Sequence, residues 1–125
     1  MKPVAIGITA GDPNGIGPEI ALKAALQPQP ADRRIVLVGH REVWARAAAC
    51  IGRPLPPEIP GLESPLPRRA TWDPDMAPPP LHRPGQARAD AARAAYAYVL
   101  SAAAAAQNRR LDAIVTAPIS KEAFH

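Results

Sequence analysis

Short apolar runs alternate with longer periodic stretches along this chain, and that alternation predicts βαβ units. Val4-Ala5-Ile6-Gly7-Ile8-Thr9 is brief, β-branched and closed by a glycine cluster, the pattern of a buried strand. A helix is expected from about Pro18 to Leu26: proline suits a first helical position, Glu19 suits the positive helix end, and Ile20, Leu22 and Leu26 give a modest apolar face. Arg34 to Gly39 is a second buried strand, and "HREVWARAAACIG" after it reads as a helix ended by Gly52. Gly85 to Asn108 is the longest expected helix, rich in alanine, with Tyr96, Val99 and Leu100 as its large apolar contacts. Leu111 to Pro118 then reads as a third central strand running into a loop. Strand and helix alternate so regularly because parallel strands need a crossover, so the fold class is α/β with a parallel sheet.

One segment breaks the rhythm. Arg53 to Pro84 holds eleven of the 17 prolines, which forbids a long helix and leaves room only for short extended pieces such as Leu55 or Leu62 to Leu66. A free polyproline linker would not need the apolar residues Leu55, Ile59, Leu62, Leu66, Trp72, Met76 and Leu81. The expectation is an excursion across the domain carrying edge strands.

At 125 residues with 47% apolar content, the chain has the size and composition for one core. Lys and Arg exceed Asp and Glu by 15 to 11, a formal charge of +4, but the basic residues form no block. With only Trp44, Trp72, Tyr96, Tyr98 and Phe124 to stack on bases, composition argues against nucleic-acid binding. Cys50, the single cysteine, is placed on the apolar side of its helix and suits a reducing compartment. The first apolar run is too short for a signal peptide or a membrane span, so a soluble cytoplasmic protein is expected.

Ligands of open α/β sheets bind beyond the carboxyl ends of the strands. Two loops leave such ends, "TAGDPNGIGPE" after the first strand and "TAPISK" after the last. In the first, Gly11 and Gly15 permit positive φ, Pro13 presets a turn angle, Asp12 and Asn14 can bond neighbouring backbone N–H groups, and Gly17 admits close approach to the helix start. Exposed N–H groups at a helix N-terminus suit an anion, although a tight turn with no ligand fits the same spacing. The loop is neither a Walker A sequence nor G-x-G-x-x-G. Asp12 and Glu19 serve equally as caps or as cleft residues, and Lys121 as an anion partner or a solvated side chain. His40, His82 and His125 lack a metal-ligand spacing, and Cys50 has nothing beside it in sequence to activate it.

"GITAGDPNGIGPEIALKA", "GQARADAARAAYAYV" and "DAIVTAPISKEAF", in that order, resemble the first part of the 4-hydroxythreonine-4-phosphate dehydrogenase family, the PdxA enzymes of pyridoxal phosphate (vitamin B6) biosynthesis. The resemblance runs the length of the chain and is weakest in the proline-rich middle. It implies NAD-dependent oxidation of a phosphorylated hydroxy amino acid, 4-phosphooxy-L-threonine, to a ketone with loss of carbon dioxide, helped by a histidine-held divalent metal. It also implies a two-domain subunit related to isocitrate and isopropylmalate dehydrogenases, working as a homodimer with its site in the interdomain cleft. Relatives acting on threonate phosphates or a cyclic dihydrodiol dicarboxylate share these motifs.

The resemblance carries over only to matching positions: Asp12, Asn14, Gly15, Gly17 and Glu19 in the first loop, and Thr116, Pro118 and Lys121 in the second, as cleft-lining residues for substrate or cofactor. The family's Gly-His-Thr-Glu segment, its three metal histidines and its later Lys, Asn and Arg substrate ligands have no counterpart in residues 1–125, and His125 matches none of them. No catalytic residue and no metal ligand is therefore assigned. The expectation is the N-terminal portion of such a dehydrogenase, a truncated reading frame or a fragment, inactive alone. A small anion-binding α/β module without catalysis, and an interaction protein using its proline-rich middle, are the readings from other classes.

Overall fold

A computed structural model describes residues 2–63, 65–74, 82–86 and 88–118. Four parallel strands, β1 (Val4–Thr9), β2 (Arg33–Val38), β3 (Arg69–Trp72) and β4 (Ala113–Thr116), form one sheet in the order β3-β2-β1-β4. Helices α1 (Gly17–Ala25), α2 (Arg41–Ile51) and α3 (Ala89–Gln107) make the connections. Residues 35 to 38 of β2 are buried without alternation, as a strand covered on both faces must be. α1 and α2 pack on one another and against β1, β2 and β3, while α3 crosses β1, β2 and β4.

The core joins Leu22 of α1, Val36 and Leu37 of β2, Val43 and Trp44 of α2, Tyr98 of α3 and Leu111 before β4. The register Ile8↔Leu37 and Ile8↔Val115 brings the carboxyl ends of β1, β2 and β4 level, so the loops leaving them share one edge.

Four expectations need correction. In the sheet of the described residues β4 lies at the edge rather than at the centre: it pairs there with β1 alone, and Val115 is 52% exposed. α3 turns Tyr98 into the core and leaves Tyr96 and Leu100 more than half exposed, because Ala91, Ala95, Tyr98, Ala102 and Ala105 share the buried face. An alanine-rich helix carries little contrast between its faces, so its rotation is poorly written in sequence. Cys50 is exposed, since the buried face of α2 runs through Val43, Trp44, Ala47 and Ala48. Finally, α3 begins at Ala89, not Gly85, because the segment before it is tied to the first loop.

The proline-rich segment contributes β3 in the gap between Pro67 and Pro74, in a position the apolar pattern alone missed. Its outer edge is covered: Ile59 N–H donates to the Thr71 carbonyl at 2.9 Å, and Thr71 N–H to the Pro57 carbonyl at 2.9 Å. Leu62 is buried, and Leu55, Ile59, Leu66 and Trp72 pack against the core. Met76 and Leu81 lie outside the described residues.

Candidate functional site

The loops after β1 and β4 are built into one another. Gly11 holds φ at +72°, and a Cβ there would collide with the Pro118 carbonyl oxygen and crowd Ala117. A Cβ on Gly17 would lie 2.6 Å from the Ala10 carbonyl oxygen and 3.0 Å from that of Pro118. The lock between the loops is a hydrogen bond from Asp12 N–H to the Pro118 carbonyl, 3.0 Å. Glycine is thus required where backbone meets backbone. Gly15 differs: it has no positive φ, and a Cβ there would meet only Asp12 atoms at ordinary distances. The expectation of positive φ at Gly15 is therefore corrected, since only Gly11 makes the left-handed turn.

Asp12 is buried and its Oδ1 accepts the Asn14 N–H at 2.9 Å, closing an Asx turn. Asn14, also buried, reaches across the fold instead of bonding its neighbours. Its Oδ1 accepts the Arg83 N–H at 2.8 Å, its carbonyl accepts the Gly85 N–H at 2.7 Å, and its Nδ2 donates to the Gln86 carbonyl at 3.4 Å. Residues 82–86 are thereby strapped onto the first loop. Glu19 is half-buried in the first turn of α1, which begins without a side-chain cap, and Pro18 stands at its start. A small cavity of about 130 Å³ opens there between Gly15, Glu19, Arg46 and His82. Burial and the neighbouring Arg46 and Arg83 charges push the His82 pKa below its ordinary value.

Thr116 ends β4 beside Thr9 and is exposed, as are Pro118 and Gly15. Lys121 lies outside the described residues. The structure thus brings Asp12, Gly17 and Pro118 into contact, with Thr116 at the end of the adjoining strand, and it puts Asp12 and Asn14 to work holding the loop rather than facing outward.

Sequence reasoning passed over three residues at this end of the sheet. His40 follows β2 as the first loop follows β1, so the same strand-end rule points to it. It is buried, and its Nδ1 is joined to the Tyr98 hydroxyl by a 2.6 Å hydrogen bond, the rings meeting edge to face. Burial, reinforced by the Asp73 and Glu42 carboxylates, drives the Tyr98 pKa well above its ordinary value, outweighing the opposing effects of the His40 backbone and the Arg46 charge. The third is Arg46, whose Nη2 is buried with no hydrogen-bond partner among the described residues. No sequence signal marks Tyr98 or Arg46.

Among the described residues no group of three or more His, Cys, Asp or Glu side chains is placed to hold a metal ion. Gly11 and Gly17 are closed by protein backbone, which leaves them unfit as a cradle for a dinucleotide pyrophosphate. Among the described residues, no helix is long and apolar enough to cross a membrane.

Residues 31–125 match the family model described as pyridoxal phosphate biosynthetic protein PdxA. Curated relatives include the D-threonate 4-phosphate dehydrogenase of Bordetella bronchiseptica, 35% identical over 129 residues, with 96% of this chain and 36% of the relative covered. The 4-hydroxythreonine-4-phosphate dehydrogenase of Trichlorobacter lovleyi is 36% identical over 131 residues, covering 96% and 38%. The structure of a 4-hydroxythreonine-4-phosphate dehydrogenase from Burkholderia phymatum superposes with a TM-score of 0.80 at 32% identity, covering 100% of this chain and 39% of the other. A terephthalate 1,2-cis-dihydrodiol dehydrogenase from Burkholderia xenovorans LB400 gives 0.78 at 35% identity, covering 98% and 36%. The chain thus spans little more than a third of the length of the relatives it matches.

Proposed function

Because the chain belongs to the PdxA family, we propose that it supplies one wall of the substrate cleft of a dehydrogenase acting on a phosphorylated hydroxy acid. The substrate of this reading is 4-phosphooxy-L-threonine, on the way to pyridoxal 5'-phosphate, and residues 1–125 are the N-terminal portion of a cytoplasmic, homodimeric two-domain subunit. NAD would take the hydride and a divalent metal would polarise the substrate oxygens; neither is assigned to residues described here. D-threonate 4-phosphate is the nearest competing substrate, since relatives of similar identity carry that name.

One observation carries the reading. The two motifs that mark the family, far apart in sequence, meet through the 3.0 Å hydrogen bond from Asp12 N–H to Pro118 at the carboxyl end of a parallel sheet, where α/β proteins bind ligands. Asp12, Asn14 and Gly17 act by fixing the wall. Gly15, Glu19, Thr116 and Pro118 present its outer surface, and Lys121 adds a cation for the substrate's anionic groups. No residue of the wall is a general base. A non-catalytic anion-binding module is less well supported, because the closest glycine contacts are taken by protein backbone.

The test is an amide-shift titration of the chain with 4-phosphooxy-L-threonine, with NADH formation followed in parallel after adding NAD and a divalent metal. The expected result is shifts confined to residues 11–19 and 116–118 and no NADH. NADH formation by the chain itself would overturn the role as a wall, and shifts that avoid both loops would overturn the site.

A further inference from the structure

At the other end of the sheet, away from the loops just described, the chain forms a partly open cavity of about 580 Å³, within the size range of small-molecule sites. Lys2 before β1, Arg34 at the start of β2, and Arg109 and Arg110 ahead of β4 all line it. Its apolar lining comes from Ala5, Leu62 and Leu66.

The cations outnumber the anions that could neutralise them. Of the two carboxylates present, Glu63 pairs with Arg110 at 3.2 Å, and Asp112 Oδ2 accepts the Ala5 N–H at 2.8 Å. Arg34 is held by neutral carbonyls alone: Nε donates to Leu66 at 3.2 Å, and Nη1 donates to Ala31 at 2.8 Å and to Arg33 at 3.2 Å. Three hydrogen bonds hold its guanidinium in place, and no carboxylate among the described residues is paired with it. Among the described residues neither Lys2 nor Arg109 has a carboxylate within ion-pair distance.

Arg109 supplies a second, independent observation. It is the one described residue other than glycine with positive φ, +61°, and it ends α3 where glycine is the ordinary choice. The termination is a Schellman motif, with Arg110 N–H donating to Ala105 at 2.9 Å and Arg109 N–H to Ala106 at 3.0 Å. α2 ends with the same pair of bonds and does place glycine there, Gly52 at φ +65°. At α3 an arginine instead takes the left-handed conformation, and that same residue lines the cavity.

We infer that this cavity is a binding site for a small organic anion with an apolar body, its anionic head taken by Arg109, Arg34 and Lys2 and its body by Leu62 and Leu66. The site is separate from the proposed cleft and does not depend on it.

Phenyl phosphate is the probe, with inorganic phosphate and phenol as its two halves, titrated against the chain by amide shifts. The expected result is saturable binding of phenyl phosphate with shifts at Ala5, Leu62, Leu66 and Asp112, and weaker binding of either half. Arg109→Gly suits the backbone, so the fold is retained or strengthened while affinity falls about tenfold, the effect of losing one charge-assisted hydrogen bond. Unchanged affinity in Arg109→Gly, absence of saturation, or shifts confined to residues 11–19 would each overturn the inference.

Discussion

A methyl group added at Gly11 meets the Pro118 carbonyl and an unfavourable φ, whereas one added at Gly15 meets only ordinary contacts with Asp12. Three glycines in seven residues therefore make different predictions. Gly11→Ala and Gly17→Ala should each lower the unfolding free energy by about 2 kcal/mol or more, and Gly15→Ala should leave it within about 0.5 kcal/mol, read from urea unfolding. Comparable losses at all three would show that the loops are not locked by backbone contact. The need for glycine at 11 was legible from the strand-turn-helix pattern. Its partner was not, because Pro118 lies more than a hundred residues away in sequence. Tyr98 is the other residue whose role needed the fold, since an alanine-rich helix gives no sequence ground for choosing it over Tyr96. Its hydrogen bond to His40 predicts that Tyr98→Phe costs about 1 to 2 kcal/mol at neutral pH. The folded state holds the Tyr98 proton more tightly than the unfolded chain does. Stability from this group is therefore complete below the ordinary tyrosine pKa of about 10 and falls as pH rises above it, and Tyr98→Phe should flatten that alkaline decline.

At the scale of elements, β1, β2, α1 and α2 were readable to within a residue or so because each is long or strongly patterned and bounded by proline or glycine. β3 was not, since Arg69–Trp72 is four residues long and becomes a strand only when paired with Ile35–Val38. Its first residue also explains how α1 ends: Arg69 Nε donates to the Ala25 carbonyl at 2.7 Å and Nη2 to that of Gln27 at 2.8 Å. Arg69→Ala should cost about 1 kcal/mol and speed amide exchange in the last turn of α1 more than in α2. The late start of α3 has a tertiary cause, the three bonds from Asn14 to residues 83, 85 and 86. Asn14→Ala should raise amide exchange at Arg83 and Gly85. Unchanged protection there would mean the strap is held from elsewhere.

For the molecule as a whole, the two sides of the sheet are finished differently. β3 is covered by residues 57–59, while β4 shows no outer neighbour among the described residues, and Val115, Tyr96 and Leu100 are exposed. An open strand edge with exposed apolar side chains predicts concentration-dependent association of the chain, which Val115→Lys should suppress in sedimentation velocity. The α/β class and the carboxyl-end loops could be argued from pattern alone, but the edge position of β4 could not, because strand order in space is not written in the order along the chain. The claim that matters most is that the joined loops form a working cleft wall. Its most direct measurement is NADH formation by a chimera in which residues 2–118 replace the matching segment of a 4-hydroxythreonine-4-phosphate dehydrogenase. The chimera is expected to fold, to oxidise 4-phosphooxy-L-threonine and to lose that activity on Gly11→Ala. A folded chimera that forms no NADH would contradict it.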